Sequence, residues 1–189
     1  MVKNKTYNNV VNTLLRLGEY HHQISTTSVG DIWEIDLGDK NTKFPLLHIN
    51  PTNVSTGDSQ LSYNFQIFVM DMVTERENWD TNRGDIMGGT VNTFSKLVKT
   101  LSNEQDVLNE TLQIVTDFIG MLRHSSQQSL AGVNDINEPL YFTQDQFTIE
   151  PFSERFDNLC CGWVFNIGVL VQNDFQTCDI PSITKGAGY

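Results

Sequence analysis

The feature that most constrains the fold is a run of alternating apolar and polar residues from Leu61 to Ile67, in the first half of the chain. Between Leu61 and Val69, every second side chain is large and apolar, and the residues between them are Ser62, Asn64, Gln66 and Phe68. Successive side chains of a β-strand point to opposite faces of its sheet, so this period of two predicts a strand with one buried face.

A second extended stretch precedes this strand and has a turn at its end. Residues 44–54 read as one arm, Thr56-Gly57-Asp58 as the turn, and 61–73 as the other arm, which together predict a long β-hairpin. Pro45 and Pro51 lie in the first arm. Because proline lacks a backbone N–H, they indicate an edge strand or a bent arm.

Two segments have the spacing of amphipathic helices. From Thr6 to His22 the apolar stripe consists of Tyr7, Val10, Val11, Leu14, Leu15 and Leu17. A second helix is predicted after Ser102, which forms a capping box with Gln105. Its apolar stripe consists of Val107, Leu108, Leu112, Val115, Phe118, Ile119 and Leu122.

The remaining strands complete an α+β prediction. A short alternating run at 32–36 and two further stretches at 141–152 and 159–175 have strand character. The order of helix, strands, helix and strands predicts one domain over 1–189, an antiparallel sheet with a long β-hairpin and two helices packed on one face. Residues 74–101 read as an inserted polar loop, and residues 176–189 as an extended C-terminal tail.

Composition narrows the classes of function. The formal net charge is −11, which disfavours a protein that grips phosphate backbones. Only 19% of the residues are charged, whereas there are 18 Asn and 18 Thr, so the surface suits hydrogen-bonded contacts with other proteins. No run of about 18 apolar residues occurs, and no apolar segment follows the basic N-terminus, so we expect neither a membrane partner nor a secretory signal.

The sequence contains few signs of catalytic or metal chemistry. It has no Walker A, GxGxxG, GxSxG or HExxH motif. Cys160 and Cys161 are expected to point to opposite faces of a strand as small buried side chains, and the histidines lack metal-ligand spacing. We therefore predict no catalytic residues, no cofactor and no metal. An enzyme reading rests on His48 and the pair His21 and His22 alone.

The inserted loop 74–101 offers candidates for contacts with other proteins. Trp79 either folds back on the core or anchors an interface, since Trp and Arg are frequent in interface hot spots. An adhesion or glycan-binding module that uses this loop, including Arg83-Gly84-Asp85, is the alternative function. The candidate interface residues are Arg76, Trp79, Arg83 and Asp85 in the loop, Tyr63 and Asn64 in the hairpin, and Ile180 and Pro181 in the tail.

Three segments carry a resemblance to a known class of proteins. Phe44-Pro45-Leu46-Leu47-His48-Ile49-Asn50-Pro51-Thr52, Tyr63–Asp71 and Asn103–Ile114 resemble a virion structural protein of tailed bacteriophages, most of all those of crAss-like phages. The likeness covers about 44–73, 103–124 and 159–175. It implies a tail-terminator-like fold without a catalytic signature.

The same resemblance implies a function and a location. It implies a ring of six or twelve copies in the neck or tail, a head–tail connector or tail terminator that joins portal-side and tail-side proteins around the DNA channel. The expected partners are further copies of the chain and the neighbouring ring, portal or tail proteins, and DNA passes through without specific binding. The expected location is the virion, after synthesis in the cytoplasm of the bacterial host.

Overall fold

The structure is a computed structural model that describes residues 7–35, 42–57, 60–73, 103–125, 141–143, 146–155 and 159–172. It is an α+β fold in which two helices accompany a mixed sheet of six strands. In chain order the elements are α1 (Tyr7–Tyr20), β1 (Thr26–Val29), a short 3₁₀ helix (Ile32–Glu34), β2 (Leu46–Thr56), β3 (Gln60–Met72), α2 (Glu104–Ser125), β4 (Tyr141–Thr143), β5 (Ile149–Arg155) and β6 (Leu159–Gln172).

The predicted hairpin forms the middle of the sheet. The strand order is β1-β2-β3-β6-β4, and β5 also pairs with β6. β2 and β3 form the antiparallel hairpin, and β3 pairs with β6 along its whole length, from Gln60 opposite Gln172 to Met72 opposite Cys160. The hairpin is therefore part of the sheet on its β3 side and does not project as a separate arm.

The prediction of an antiparallel sheet was wrong at one edge. β1 runs parallel to β2, with Thr26 opposite Leu46 and Val29 opposite Ile49. Parallel neighbours need a long crossover, and the connection from Val29 to Leu46, which contains the 3₁₀ helix, is long enough to provide it.

The strand predicted at 32–36 was also wrong. Ile32–Glu34 is a 3₁₀ helix, and the Asp31 carboxylate accepts a hydrogen bond from the backbone N–H of Trp33 at 3.2 Å. This side-chain acceptor competes with a strand partner for the backbone donor and favours a tight turn. Trp33 remains 77% exposed.

Both helices pack on one face of the sheet, as predicted. The buried residues of this layer come from both helices and from alternate positions of β2, β3 and β6: Val10, Leu14, Leu17, Ile114, Val115, Phe118, Leu122, Leu47, Ile49, Phe65, Ile67, Val69, Phe165, Ile167, Val169 and Val171. Phe118 and Phe165 meet edge to face with their ring centroids 6.3 Å apart. The main core therefore lies between the helices and the sheet.

Helix α2 begins at Glu104, two residues after the predicted cap Ser102. Asn103 accepts hydrogen bonds through its carbonyl from the N–H groups of Asp106 and Val107 at 3.0 and 3.1 Å. Glu104 and Asp106 place negative charge in the first turn, where the helix dipole favours it. Ser102, the predicted capping residue, lies outside the described residues.

Among the described residues, few side chains cover the second face of the sheet. Leu46, Phe68 and Met70 are buried there, and Phe152 meets Phe68 edge to face at 5.6 Å. The 3₁₀ helix contributes Ile32 to this smaller cluster. Towards the hairpin turn, the same face carries polar side chains instead, and these define the candidate site.

Candidate functional site: the outer half of the hairpin

The structure describes two of the eight predicted interface residues. Tyr63 and Asn64 are neighbours on β3 and therefore point to opposite faces of the sheet. The other six, together with the loop 74–101 and the tail 176–189 that contain them, lie outside the described residues: Arg76, Trp79, Arg83, Asp85, Ile180 and Pro181.

Tyr63 belongs to the core on the helix side. It is 8% exposed, and its ring lies 6.0 Å from that of Tyr7 at the start of α1. Val54, opposite Tyr63 on β2, is 51% exposed, and Tyr7 is 39% exposed. Val54 and Tyr7 therefore form a small exposed apolar surface at the margin of the sheet, and the buried Tyr63 packs beside it.

Asn64 lies at the centre of a hydrogen-bonded group on the other face. Its Nδ2 donates to Asn53 Oδ1 at 2.6 Å, and the Ser62 hydroxyl donates to its Oδ1 at 3.2 Å. The Thr52 hydroxyl donates to the Asn64 carbonyl at 2.9 Å. The bonds to Asn53 and Ser62 hold the Asn64 side chain in one orientation at the surface of the sheet.

Further carboxamides extend this group across three strands. Asn50, Gln66 and Asn166 stand in register on β2, β3 and β6, and Asn53 stands opposite Asn64. A β-bulge between Pro51 and Asn53 brings Asn50 and Asn53 to the same face, because one extra residue reverses the alternation. The amide face denotes these five carboxamides: Asn50, Asn53, Asn64, Gln66 and Asn166.

The amide face can form many hydrogen bonds without carrying charge. Each carboxamide has an acceptor oxygen and two donor hydrogens. Of the five, only Asn64 was predicted from the sequence. Gln66 could have been found as the next polar residue on the same side of the alternating strand, whereas Asn50, Asn53 and Asn166 depend on the bulge and on the β3–β6 register.

The outer edge of β2 is open beyond Ile49. β1 ends opposite Ile49, whose carbonyl accepts the N–H of Gly30 at 3.1 Å. Within the described part of the chain, β2 has no further strand on that side, and residues 52–56 are all exposed. The β2 edge denotes this outer side from Pro51 to Thr56.

His48, the first histidine considered for an enzyme, is held within the sheet. It is 2% exposed, with Nε2 3.1 Å from the Gly30 carbonyl and Nδ1 2.8 Å from the Ser28 hydroxyl. Because a carbonyl only accepts, Nε2 carries a hydrogen and donates it to Gly30, while Nδ1 shares the second hydrogen bond with the Ser28 hydroxyl. Through these two hydrogen bonds, His48 on β2 connects to Ser28 on β1 and to Gly30, which follows β1.

His21 of the other pair connects the two helices. Its Nε2 lies 3.6 Å from Asp117 Oδ2 on α2, and its Nδ1 accepts the backbone N–H of Gln23 at 3.2 Å. His22, beside it, is exposed. The structure therefore gives the two histidines different surroundings and does not bring either of them to His48.

The vicinal cysteines are buried, as the sequence predicted. Cys160 and Cys161 are both 0% exposed and free. Burial, and next the charge of Asp71, raise the pKa of Cys160 to about 11. Burial, and next the charge of Glu104, raise the pKa of Cys161 to about 12. Both thiols therefore stay protonated at neutral pH, a state of low nucleophilicity.

Asp71 is a carboxylate in an unfavourable position near these thiols. Burial raises its pKa above the ordinary value, and the nearby Glu110 acts in the same direction. A hydrogen bond from the Met72 N–H to Asp71 Oδ1 at 2.7 Å opposes the shift. The described residues contain no group of three or more His, Cys, Asp or Glu side chains that could hold a metal ion.

No protein-family model matches the chain, and no curated protein sequence is significantly similar to it. Among the helices that the structure describes, none is both long and apolar enough to cross a membrane.

Proposed function

We propose that this chain is a structural subunit of a ring in the neck or tail of a tailed bacteriophage, acting as a head–tail connector or tail terminator. The proposal starts from the sequence resemblance, whose segments 44–73, 103–124 and 159–175 correspond to the β2–β3 hairpin, α2 and β6. These elements pack on one another through the main core, so the likeness falls on one contiguous part of the fold.

The observation that carries the proposal is the outer half of the hairpin. An exposed strand edge and an uncharged amide face lie side by side there, and together they offer main-chain and side-chain hydrogen bonds. Such a surface suits contact with another protein through strand addition and polar packing. A subunit of a ring needs lateral surfaces of this kind.

The charge of the chain is compatible with a position around DNA. At a net charge of −11, the phosphate backbone is repelled rather than bound. A channel lined by such subunits lets DNA slide through. In this proposal the partners are further copies of the chain, six or twelve in a ring, and the adjoining ring, portal or tail proteins.

Two measurements on the phage particle test the function. Mass spectrometry of purified virions should detect the chain, and immunogold labelling should place it at the neck or tail. Labelling of capsids before and after tail attachment identifies the side of the junction on which it lies. Absence of the chain from purified virions contradicts the proposal.

The alternative is an adhesion or glycan-binding module. It rests on Trp79 and Arg83-Gly84-Asp85 of the loop 74–101, and the neutral, hydrogen-bonding amide face adds a described surface that suits sugar hydroxyls. A glycan array with the full chain and with a variant lacking 74–101 tests it. Binding that disappears with the loop favours the module, whereas a ring subunit loses assembly or neighbour docking instead.

A further inference from the structure

The β2 edge differs from the other margins of the sheet in how it is protected. Edge strands are commonly blunted by charges, prolines, short length or bulges. β1 and β4 are only four and three residues long, and β5 contains Glu150 and Pro151. β2 has no Asp, Glu, Lys or Arg in its eleven residues.

The protective features of β2 end at the bulge. The Ile49 carbonyl points away from β3, because it accepts the N–H of Gly30. Residues two apart on a strand direct their backbone groups to the same side, so Pro51 also faces outwards. Proline has no N–H, and Pro51 therefore offers no donor to an incoming strand. Beyond the bulge, the Gly57 N–H donates to the Gln60 carbonyl at 2.8 Å. By alternation, Val54 and Thr56 then direct their N–H and C=O groups away from β3.

Charge argues for a second copy as the occupant of this edge. Two chains with a net charge of −11 each repel one another wherever their carboxylates meet. Like charges directly opposite one another across paired strands are also destabilising. The eleven residues of β2 and the five carboxamides of the amide face include no carboxylate, so one copy can receive a strand of the next copy there without direct repulsion from carboxylates on this surface.

We propose that the β2 edge pairs through main-chain hydrogen bonds at Val54 and Thr56 with a strand of a second copy of this chain. Val54 and Tyr7 would then pack against the apolar side of the incoming strand, and Asn53 would lie on its polar side. The choice of a second copy rests on the proposed ring function, which names further copies as partners.

Ionic strength gives the first test of the inference. Contact through an uncharged surface between two acidic molecules should strengthen when salt screens their net repulsion. Sedimentation velocity of the full chain should therefore show tighter self-association at 500 mM than at 50 mM NaCl. A chain that stays monomeric at every salt and protein concentration overturns the inference.

A charged substitution on the edge gives the second test. Val54→Lys adds a charge that blunts the edge and should raise the dissociation constant of self-association about tenfold or more. Gln113→Lys, on the exposed side of α2, makes the same change in net charge and should leave the constant unchanged. Thr56→Lys is the second edge variant and should weaken association in the same way. Val54→Thr keeps a β-branched, uncharged residue and should associate like the parent.

Hydrogen exchange reports the main-chain bonds directly. The amides of Val54 and Thr56 should exchange more slowly in the assembled parent than in the dilute parent. Equal association of Val54→Lys, Thr56→Lys and parent, with no change in exchange, overturns the inference. If electron microscopy shows a ring whose subunits meet through another surface, the proposed pairing at the β2 edge is wrong and the ring function stands. If the chain forms a dimer through the β2 edge but is absent from virions, the ring function is wrong and the pairing stands.

Discussion

The backbone of β3 lies very close to Gly162 on β6, and this approach predicts a large effect of one added methyl group. Gly162 stands opposite Met70 on β3. A Cβ placed on it would overlap the Val69 carbonyl oxygen and would lie 2.8 Å from Met70 Cα. These are backbone atoms, so no rotation of a side chain relieves the clash, and Gly162→Ala must force β3 and β6 apart.

The cost follows from the two interactions that the separation disturbs. Overpacking a close-packed site costs about 1–3 kcal/mol, and each lost ladder hydrogen bond adds about 1 kcal/mol. We expect Gly162→Ala to lower the free energy of unfolding by about 3 kcal/mol. For a chain of this size that corresponds to a melting temperature lower by about 6–12 °C.

The assay is urea and thermal unfolding followed by circular dichroism, with Gly120→Ala as the matched control. Gly120 lies in α2 with no atom within 4 Å of its added Cβ. The same substitution there should stabilise the chain by about 0.5–1 kcal/mol, because alanine is the better helix former. A Gly162→Ala variant within about 0.5 kcal/mol of the parent would refute the steric argument.

Three further predictions concern the core and the buried carboxylate. Phe118→Ala should cost about 3–5 kcal/mol in urea unfolding, because this fully buried ring lies between helix and sheet; a cost below about 1 kcal/mol would contradict that placement. Trp163→Phe should cost about 1 kcal/mol by removing the indole N–H that donates to the Leu108 carbonyl at 2.7 Å, and an unchanged unfolding midpoint would contradict the bond. Asp71→Asn should stabilise the chain at pH 7, since it removes a carboxylate charge that partial burial and next the nearby Glu110 disfavour, and it keeps an acceptor for the Met72 N–H. The raised pKa of Asp71 makes its ionisation unfavourable in the fold, so this gain should disappear as the pH falls through the raised pKa to below the ordinary value of 3.8; a loss of stability at pH 7 would contradict the sign.

The elements predicted correctly are those whose periodicity is long and regular. The alternation from Leu61 to Val69 and the helical stripe from Val107 to Leu122 both correspond to elements with the expected buried face. In these segments, burial of one face and local preference favour the same structure.

The elements that were missed are short or depend on distant partners. β1, Thr26–Val29, has only four residues and gains its strand conformation by pairing with β2. The run beginning at Ile32 has the period of a strand, but the Asp31 side chain stabilises a turn there. Short periodic patterns do not outweigh such local hydrogen bonds.

The candidate site was predicted only in part for the same reason. Asn64 was recognised on the polar side of β3, but its grouping with Asn53 requires the bulge in β2, and its neighbour Asn166 requires the β3–β6 register. Tyr63 stays a predicted interface residue; the sequence pattern did not show that its ring lies 6.0 Å from that of Tyr7 and is 8% exposed. Register and bulges arise from pairing between strands and are not encoded in one strand alone.

Cryo-electron microscopy of the intact phage particle is the decisive measurement for the proposed ring function. We expect density for this chain as a closed ring of six or twelve copies at the neck or tail, with the β2 edge of each copy against its neighbour and an acidic wall around the DNA channel. A particle whose neck and tail rings contain no density for this chain, or a ring of it with a basic bore that grips DNA, would refute the proposed function.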